Sequence, residues 1–229
     1  MFCGFSRRLY LLWFGDISCS FLAIGQIRPR FVCSSGQNSK MRPDSINGQK
    51  YQTMSHALSP ALPDVITAGL AVVFCGINPG MRAVETGHHF EGHSNRFWKV
   101  LHLAGFTPEP MRPADDRDLL KHRCGLTTAV SRPTARADQL SSHEFHDSTA
   151  ALRDKIELHH PAYIAFLGKA AYAAISGRRE IQWGRQTATF GGAAVWLLPN
   201  PSGLNRSFSL NDLVEAYREL YLAIVDVLV

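Results

Sequence analysis

The chain has 229 residues, 45% of them hydrophobic, and a formal net charge of +5. That length and apolar content suffice for one domain with a sizeable core plus an extension. Residues 1–60 hold seven Lys/Arg against two Asp/Glu, whereas residues 61–229 hold seventeen of each. This excludes a general basic field over the body, so any nucleic-acid contact there must come from local patches.

Residues 1–60 are expected to be a disordered or mis-assigned extension, with 61–229 as a single domain. Arg7-Arg8 followed by Leu9 to Phe14 resembles a signal-peptide start, but Asp16 interrupts an apolar stretch far shorter than the roughly 20 residues of a spanning helix. A transit peptide, or a true start at Met41 or Met54, fits the same composition. Ser34 to Gln52 is polar and expected to be disordered. Cys3, Cys19 and Cys33 lie in this extension, leaving Cys75 and Cys124 in the body. There is no CxxC and no zinc spacing, and two thiols are too few for an iron–sulfur cluster. That usage fits an intracellular protein, with Cys75 as a small core residue.

Leu70 to Cys75 is a continuous apolar run, which suits a strand covered on both faces. Gly76-Ile77-Asn78-Pro79-Gly80 then supplies turn chemistry. Pro79 pushes Asn78 out of the α region, so Asn78 stands just beyond a strand's carboxyl end, where open α/β sheets bind ligands. Met81 to Gly92 reads as a polar loop. His88, His89 and His93 do not make a metal site, because adjacent histidines do not project to one point and no carboxylate is spaced to help. Phe90 is placed either to wall a pocket or to anchor the core.

Asn95 to Ala104 has helical spacing, with Ser94 or Asn95 as N-cap and Gly105 closing it. Pro113 to Lys121 reads as a short acidic helix with a solvated face. Cys124 to Thr134 reads as a loop whose Thr127, Thr128, Ser131 and Arg132 suit phosphate contact, site lining or a plain connection. An amphipathic helix is expected from Ser148 to His159, and a buried strand from Ala162 to Leu167. Gly168-Lys169 has no GxxxxGK frame and is not a P-loop, although Lys169 at this turn could reach a phosphate. A helix to Ile175 follows, then a hairpin from Thr187–Phe190 and Ala193–Leu198. The last strand runs into a second Asn-Pro step, Pro199-Asn200-Pro201-Ser202-Gly203-Leu204-Asn205-Arg206, before a closing helix from Leu210 to Val229. Strands alternating with helices predict an α/β fold, a three-layer α/β/α sandwich around a mainly parallel central sheet. Two Asn-Pro loops on one sheet edge would face a common cleft.

Gly76-Ile77-Asn78-Pro79-Gly80, then Phe90 and Asn95-Arg96-Phe97-Trp98-Lys99, then Asn200-Pro201-Ser202-Gly203-Leu204-Asn205-Arg206 resemble the mismatch-specific uracil-DNA glycosylases. These are bacterial relatives of thymine-DNA glycosylase, and the similarity runs co-linearly from about Leu70 to Leu222. The resemblance implies a monofunctional enzyme that flips uracil, or a related damaged pyrimidine such as ethenocytosine, out of a mispair with guanine and hydrolyses its glycosidic bond. It implies Asn78 as the residue positioning water, with Ile77, Gly80, Phe90 and Asn200 around the base. Gly203 suits close backbone approach, Leu204 an apolar wedge, and Ser202 and Arg206 contacts to phosphate or the orphaned base. Neither metal nor cofactor is expected. The implied partner is double-stranded DNA, with no membrane, for a monomer in a bacterial cytoplasm. Relatives often carry Lys at Thr128 and Ser at Ala83, while Gly87-His88-His89 is nearer the thymine-acting branch, so activity on G·T stays open. A non-catalytic mismatch or abasic-site binder of the same fold is the alternative. A Rossmann-type nucleotide enzyme fits less well, because GxGxxG is missing and Pro79 removes a backbone N–H.

Overall fold

The computed structural model describes residues 61–228; the expectations for residues 1–60 lie outside them. Five strands form one sheet in the order β2-β1-β3-β5-β4. β1 (Val72–Gly76), β2 (Cys124–Thr128), β3 (Tyr163–Leu167) and β5 (Ala193–Leu198) are parallel, and β4 (Gly184–Phe190) returns antiparallel along β5. The helices are α1 (Met81–Thr86), α2 (Phe97–Ala104), α3 (Ser142–His159), α4 (Lys169–Ser176) and α5 (Leu210–Leu228).

The apolar runs lack period-2 alternation because both sheet faces are covered. Phe74, Leu126, Ala165 and Trp196 share one face through the strand register and pack with α2 and α5. Val73, Ile164 and Val195 share the other and pack with Leu152 and Ile156 of α3 and Ala171 and Tyr172 of α4. The architecture is the expected three-layer sandwich. From β1 the chain goes outward to β2 and then back to β3, so the order reverses between β1 and β3. That is the topological switch point at which such sheets open a crevice.

Four expectations need correction. The segment after Gly80 is not all loop: Met81–Thr86 is helical, buries Ala83, and is closed by Gly87 at φ 76, whose N–H donates to the Ala83 carbonyl. Cys124–Thr128 is a strand, not a loop. Its threonines conceal it, although Thr fits a pleated surface well. Gly125 permits its packing, since a Cβ there would lie 2.6 Å from Leu70 Cδ1 and 2.8 Å from the Val65 carbonyl. α3 begins at Ser142, earlier than periodicity suggested, because Ser141 and Glu144 form a capping box. The reciprocal bonds satisfy backbone donors that the apolar pattern cannot reveal. Finally, α2 starts at Phe97 with Arg96 in the N-cap position, and Asn95 Oδ1 accepts the Phe97 N–H at 3.0 Å.

The acidic segment Pro113–His122 is a 3₁₀ helix with a non-helical kink at Asp115. It is not wholly solvated: Asp116 and Leu119 are buried. Outside β2, Val65 forms an antiparallel bridge with Leu126. Thr127 Oγ1 donates to Asp64 Oδ1 at 2.6 Å, and Lys155 Nζ on α3 donates to the same hydroxyl at 3.0 Å. This latch covers an edge that would otherwise offer unpaired backbone groups.

Candidate functional site

A cavity of about 370 Å³ opens across the carboxyl ends of the parallel strands, lined by Gly76, Thr128, Leu167 and Asn200 among others. Its position follows from the switch point. The β1 exit is held by loop 129–134, which continues alongside it: the N–H groups of Ala129, Val130 and Thr134 donate to the carbonyls of Gly76, Ile77 and Pro79. The β5 exit is pinned by fully buried Tyr217 of α5, whose hydroxyl donates to the Pro199 carbonyl at 3.4 Å.

Asn78 lines the cavity and is fixed by its amide nitrogen. Nδ2 donates to the Arg132 carbonyl at 3.0 Å, to Thr134 Oγ1 at 2.7 Å and to the Pro79 carbonyl at 3.1 Å. Carbonyl oxygens only accept, so they set the amide's orientation and direct Oδ1 the other way. Oδ1 has no hydrogen-bond partner among the described residues. Thr134 is itself held, donating to the Arg136 carbonyl at 2.8 Å. Behind it, Arg132 bonds bidentately to Glu144 at the start of α3. That guanidinium, with the Ser141 cap, pulls the Glu144 carboxyl down to about 2.

Ile77, Gly80, Phe90 and Asn200 all line the same cavity, as do Ser202 and Leu204. Phe90 has φ 55, a left-handed conformation uncommon for a bulky residue. Its ring stacks on Phe97 with centroids 3.8 Å apart and planes at 21°, so it combines core anchoring with cavity lining. The loop after Asn200 is tightly built. Asn200 Oδ1 accepts the Ser202 N–H at 2.9 Å, and Asn205 Nδ2 donates to the Asn200 carbonyl at 2.9 Å. Gly203 allows a close approach, but to the protein itself: a Cβ there would lie 2.4 Å from Ser94 Cβ and 2.6 Å from its carbonyl oxygen. Leu204 stands 71% exposed at the rim, and Arg206 is exposed beyond it. Lys169 is not among the lining residues; its Nζ lies 4.6 Å from the centroid of the Trp183 ring.

Of the polar residues in 124–134, Thr128 and Thr134 line the cavity. Thr127 is turned into the latch with Asp64 and Lys155, and the Arg132 side chain is taken by Glu144.

Three contributors escaped the sequence reading. Arg96 gives its guanidinium to the second Asn-Pro loop: Nε donates to the Pro201 carbonyl, one terminal nitrogen to Ser202 and Asn205, and the other to Phe208, at 2.7–3.3 Å. Its place inside the Asn95–Lys99 motif was visible, but only the fold shows what it reaches. His89 is buried and lines the cavity. Its Nε2 lies 2.9 Å from the Pro63 carbonyl, so that nitrogen carries the proton and Nδ1 is left as an acceptor. Burial holds its pKa below the usual histidine value, which keeps the ring neutral at pH 7. Asp116 accepts the His89 N–H at 3.0 Å and fixes the loop. The third is Glu91, a half-buried carboxylate lining the cavity beside Phe90.

His88 Nδ1 points toward Asp116 at 3.6 Å while His89 bonds Pro63, so the two adjacent rings diverge. Among the described residues, no group of three His, Cys, Asp or Glu side chains is arranged to hold a metal ion. Burial raises both thiols, Cys124 to about 12 and Cys75 further, which leaves them protonated and unreactive.

A doubly wound sheet with a cavity at its switch point, walled by an aromatic ring and two Asn-Pro loops, defines an α/β protein with a ligand-sized cleft at its carboxyl edge. The family model of the uracil DNA glycosylase superfamily matches residues 63–221, and the chain belongs to that superfamily. Its members are DNA glycosylases, hydrolases of DNA repair. A solution NMR structure from Methanosarcina acetivorans, described as that of a candidate uracil DNA glycosylase, is similar at 21% identity and a TM-score of 0.49. The match covers 71% of this chain and 98% of that one.

Proposed function

We propose that the chain is a monofunctional, mismatch-specific uracil-DNA glycosylase whose catalytic unit is residues 61–229. It would flip uracil, or a damaged pyrimidine such as ethenocytosine, out of a mispair with guanine and leave an abasic site. The observation that carries this reading is the state of Asn78: its amide nitrogen is fully engaged by the protein, while Oδ1 is left open at the cavity.

In the proposed reaction the C1′–N1 bond breaks, its electron pair leaves with the base, and the sugar becomes oxocarbenium-like. Water held by Asn78 Oδ1 adds to C1′, keeps one proton on the new hydroxyl and releases the other to solvent, from which the departed base anion takes one up. An amide oxygen orients water but takes no proton at neutral pH. A general base would contribute about 10²–10⁴-fold, so without one catalysis relies on orientation and the stability of the leaving anion. Slow turnover and a preference for good leaving groups follow. A base within an intact duplex is out of reach, and flipping costs a few kcal/mol, least at a mispair. Exposed Leu204 suits the vacated space in the stack, and Arg206 a phosphate or the orphaned base.

Single-turnover cleavage of labelled G·U, G·T, ethenocytosine·G and A·U duplexes tests the proposal. Wild type is expected to produce abasic sites opposite guanine, and Asn78→Ala to be slower by on the order of 10³-fold. Binding of mismatched duplex by both proteins without cleavage by either would leave the non-catalytic binder. Glu91→Gln separates water orientation from base catalysis. It should leave the pH–rate profile unchanged, and loss of an acidic limb, the fall in rate as the carboxylate becomes protonated, would make Glu91 the proton acceptor.

A further inference from the structure

We propose that Trp183 and Lys169 form a second DNA-binding surface, beside the wedge loop, which holds the backbone of the strand flanking the flipped nucleotide. The inference rests on the glycosylase reading and extends it to a side chain, Trp183, that lies outside the cavity.

Charge is distributed unevenly along the sheet. Of the eight Lys and Arg residues between 109 and 160, five, Arg112, Lys121, Arg132, Arg136 and Lys155, each pair with a carboxylate. Between residues 161 and 209 there are five cations, Lys169, Arg178, Arg179, Arg185 and Arg206, and one acid, Glu180. None of these five forms an ion pair among the described residues. The body's net charge of zero therefore conceals a β3–β5–β4 half whose own segment, residues 161–209, carries a net +4 that is offset by acids elsewhere, Asp212, Glu215, Glu219 and Asp226 of α5 above all. Lys169, at the exit of β3, and Arg206, in the loop after β5, form no ion pair beside the loops that carry the candidate site, which suits an external anion, and a DNA backbone supplies a row of them.

Trp183 gives that half a defined contact point. It is 39% exposed although it precedes a strand, and it packs edge-on against Phe208 with centroids 5.5 Å apart. The Phe208 carbonyl is one of those clamped by Arg96, so Trp183 stands on the same rigid support as Leu204. Lys169 follows Gly168, where a Cβ would lie 3.6 Å from Ile77 Cδ1 and 3.7 Å from Asn200 Cβ, both cavity residues. The ammonium is thus stowed on the indole within reach of the cavity rim. A cation over an aromatic face at an exposed site is held by only about 0.5–1 kcal/mol. Lys169 can leave the ring for a phosphate, and the vacated indole face then packs on the adjoining deoxyribose.

The test uses the full chain and a fluorescein-labelled 20-mer duplex with a central G·U, bound over a range of KCl concentrations. Each phosphate contact contributes about 0.9 to the slope of log K against log[salt]. Lys169→Gln is expected to flatten the slope by about one and weaken binding several-fold at low salt, while Lys121→Gln, whose partner is Asp118, leaves both unchanged. Trp183→Ala should weaken binding several-fold with less change in slope. Tryptophan emission should change when DNA is added to wild type, and this response should be lost in the shape-conserving Trp183→Phe. Equal slopes for Lys169→Gln and Lys121→Gln, or an emission change that survives Trp183→Phe, would overturn the proposal. An acidic protein partner is favoured instead if the Lys169 and Trp183 variants bind duplex as wild type does but no longer bind a poly-glutamate probe that wild type retains. Abasic-site formation is followed on the same duplex. Cleavage with unaltered slopes sinks the surface alone, whereas absence of cleavage sinks the glycosylase reading whatever the slopes show.

Discussion

Two loops with the same Asn-Pro step, Gly76–Gly80 and Pro199–Arg206, face one cavity but leave different atoms free. The first, besides its backbone bonds to loop 129–134, is braced through its side chain: residues 132–134 take the Asn78 amide nitrogen and leave the oxygen open. The second is braced through its backbone: Arg96 takes the carbonyls of Pro201, Ser202, Asn205 and Phe208 and leaves Leu204 exposed. A group that must orient one water needs a fixed dihedral, whereas a wedge needs a rigid platform with a free tip. In the proposed reaction the same dipeptide would serve both, because the partners around each loop decide which atoms remain available.

The sharpest way to break this division is Arg96→Lys, which keeps the charge but loses the planar fork. A lysine can serve at most one or two of the four carbonyls. Hydrogen bonds to a charged group contribute roughly 1.5–3 kcal/mol each, so duplex cleavage should fall by about a hundredfold. Hydrogen exchange should speed up across residues 201–208 and stay unchanged across 76–80. Equal loosening of both loops would show that they share one support.

Thr134→Val tests the other brace with a smaller effect. It removes the 2.7 Å acceptor of Asn78 Nδ2 while keeping the shape of the side chain, so the amide can rotate away from its working orientation. One hydrogen bond is worth about 1 kcal/mol. kcat should drop around tenfold with KM little changed, and Thr134→Ser should restore it. A rise in KM with constant kcat would mean that Thr134 supports DNA binding and does not position Asn78.

The contrast between the loops also marks how far the sequence could be read. The strands over Leu70–Cys75 and Val195–Leu198 were legible because burial on both faces leaves an unbroken apolar run, and Asn78 was legible because Pro79 constrains its backbone. β2 was not, since Cys124-Gly125-Leu126-Thr127-Thr128 has small and polar residues whose burial depends on neighbours distant in the chain, Leu70 and Val65 among them. The Arg96 clamp spans more than a hundred residues of sequence, and nothing local in an arginine at a helix start specifies four carbonyls from another loop. The capping box Ser141–Glu144 is a polar spacing that lies ahead of the apolar periodicity of α3, so that periodicity marks the helix only from Ser148 on.

That capping box yields the smallest and most conditional effect. Glu144 ties α3 to Arg132, whose carbonyl orients Asn78, so protonating it loosens the Asn78 brace and leaves the Arg96 clamp alone. Its folded carboxyl titrates at about 2, below the roughly 4.3 of an unfolded glutamate. Because the folded value is depressed, the stabilisation is fully present above the unfolded value and is lost as pH falls through about 4 toward 2. The pair is exposed, so the contribution is modest and weakens further in high salt. Glu144→Gln should therefore melt below wild type at about pH 6, and the gap in Tm should narrow through about pH 4 and close near pH 2. Exchange in loop 132–134 should rise over the same interval, with loop 201–208 unaffected. A gap that persists at low pH would assign the loss to helix capping by the side chain's shape and not to its charge.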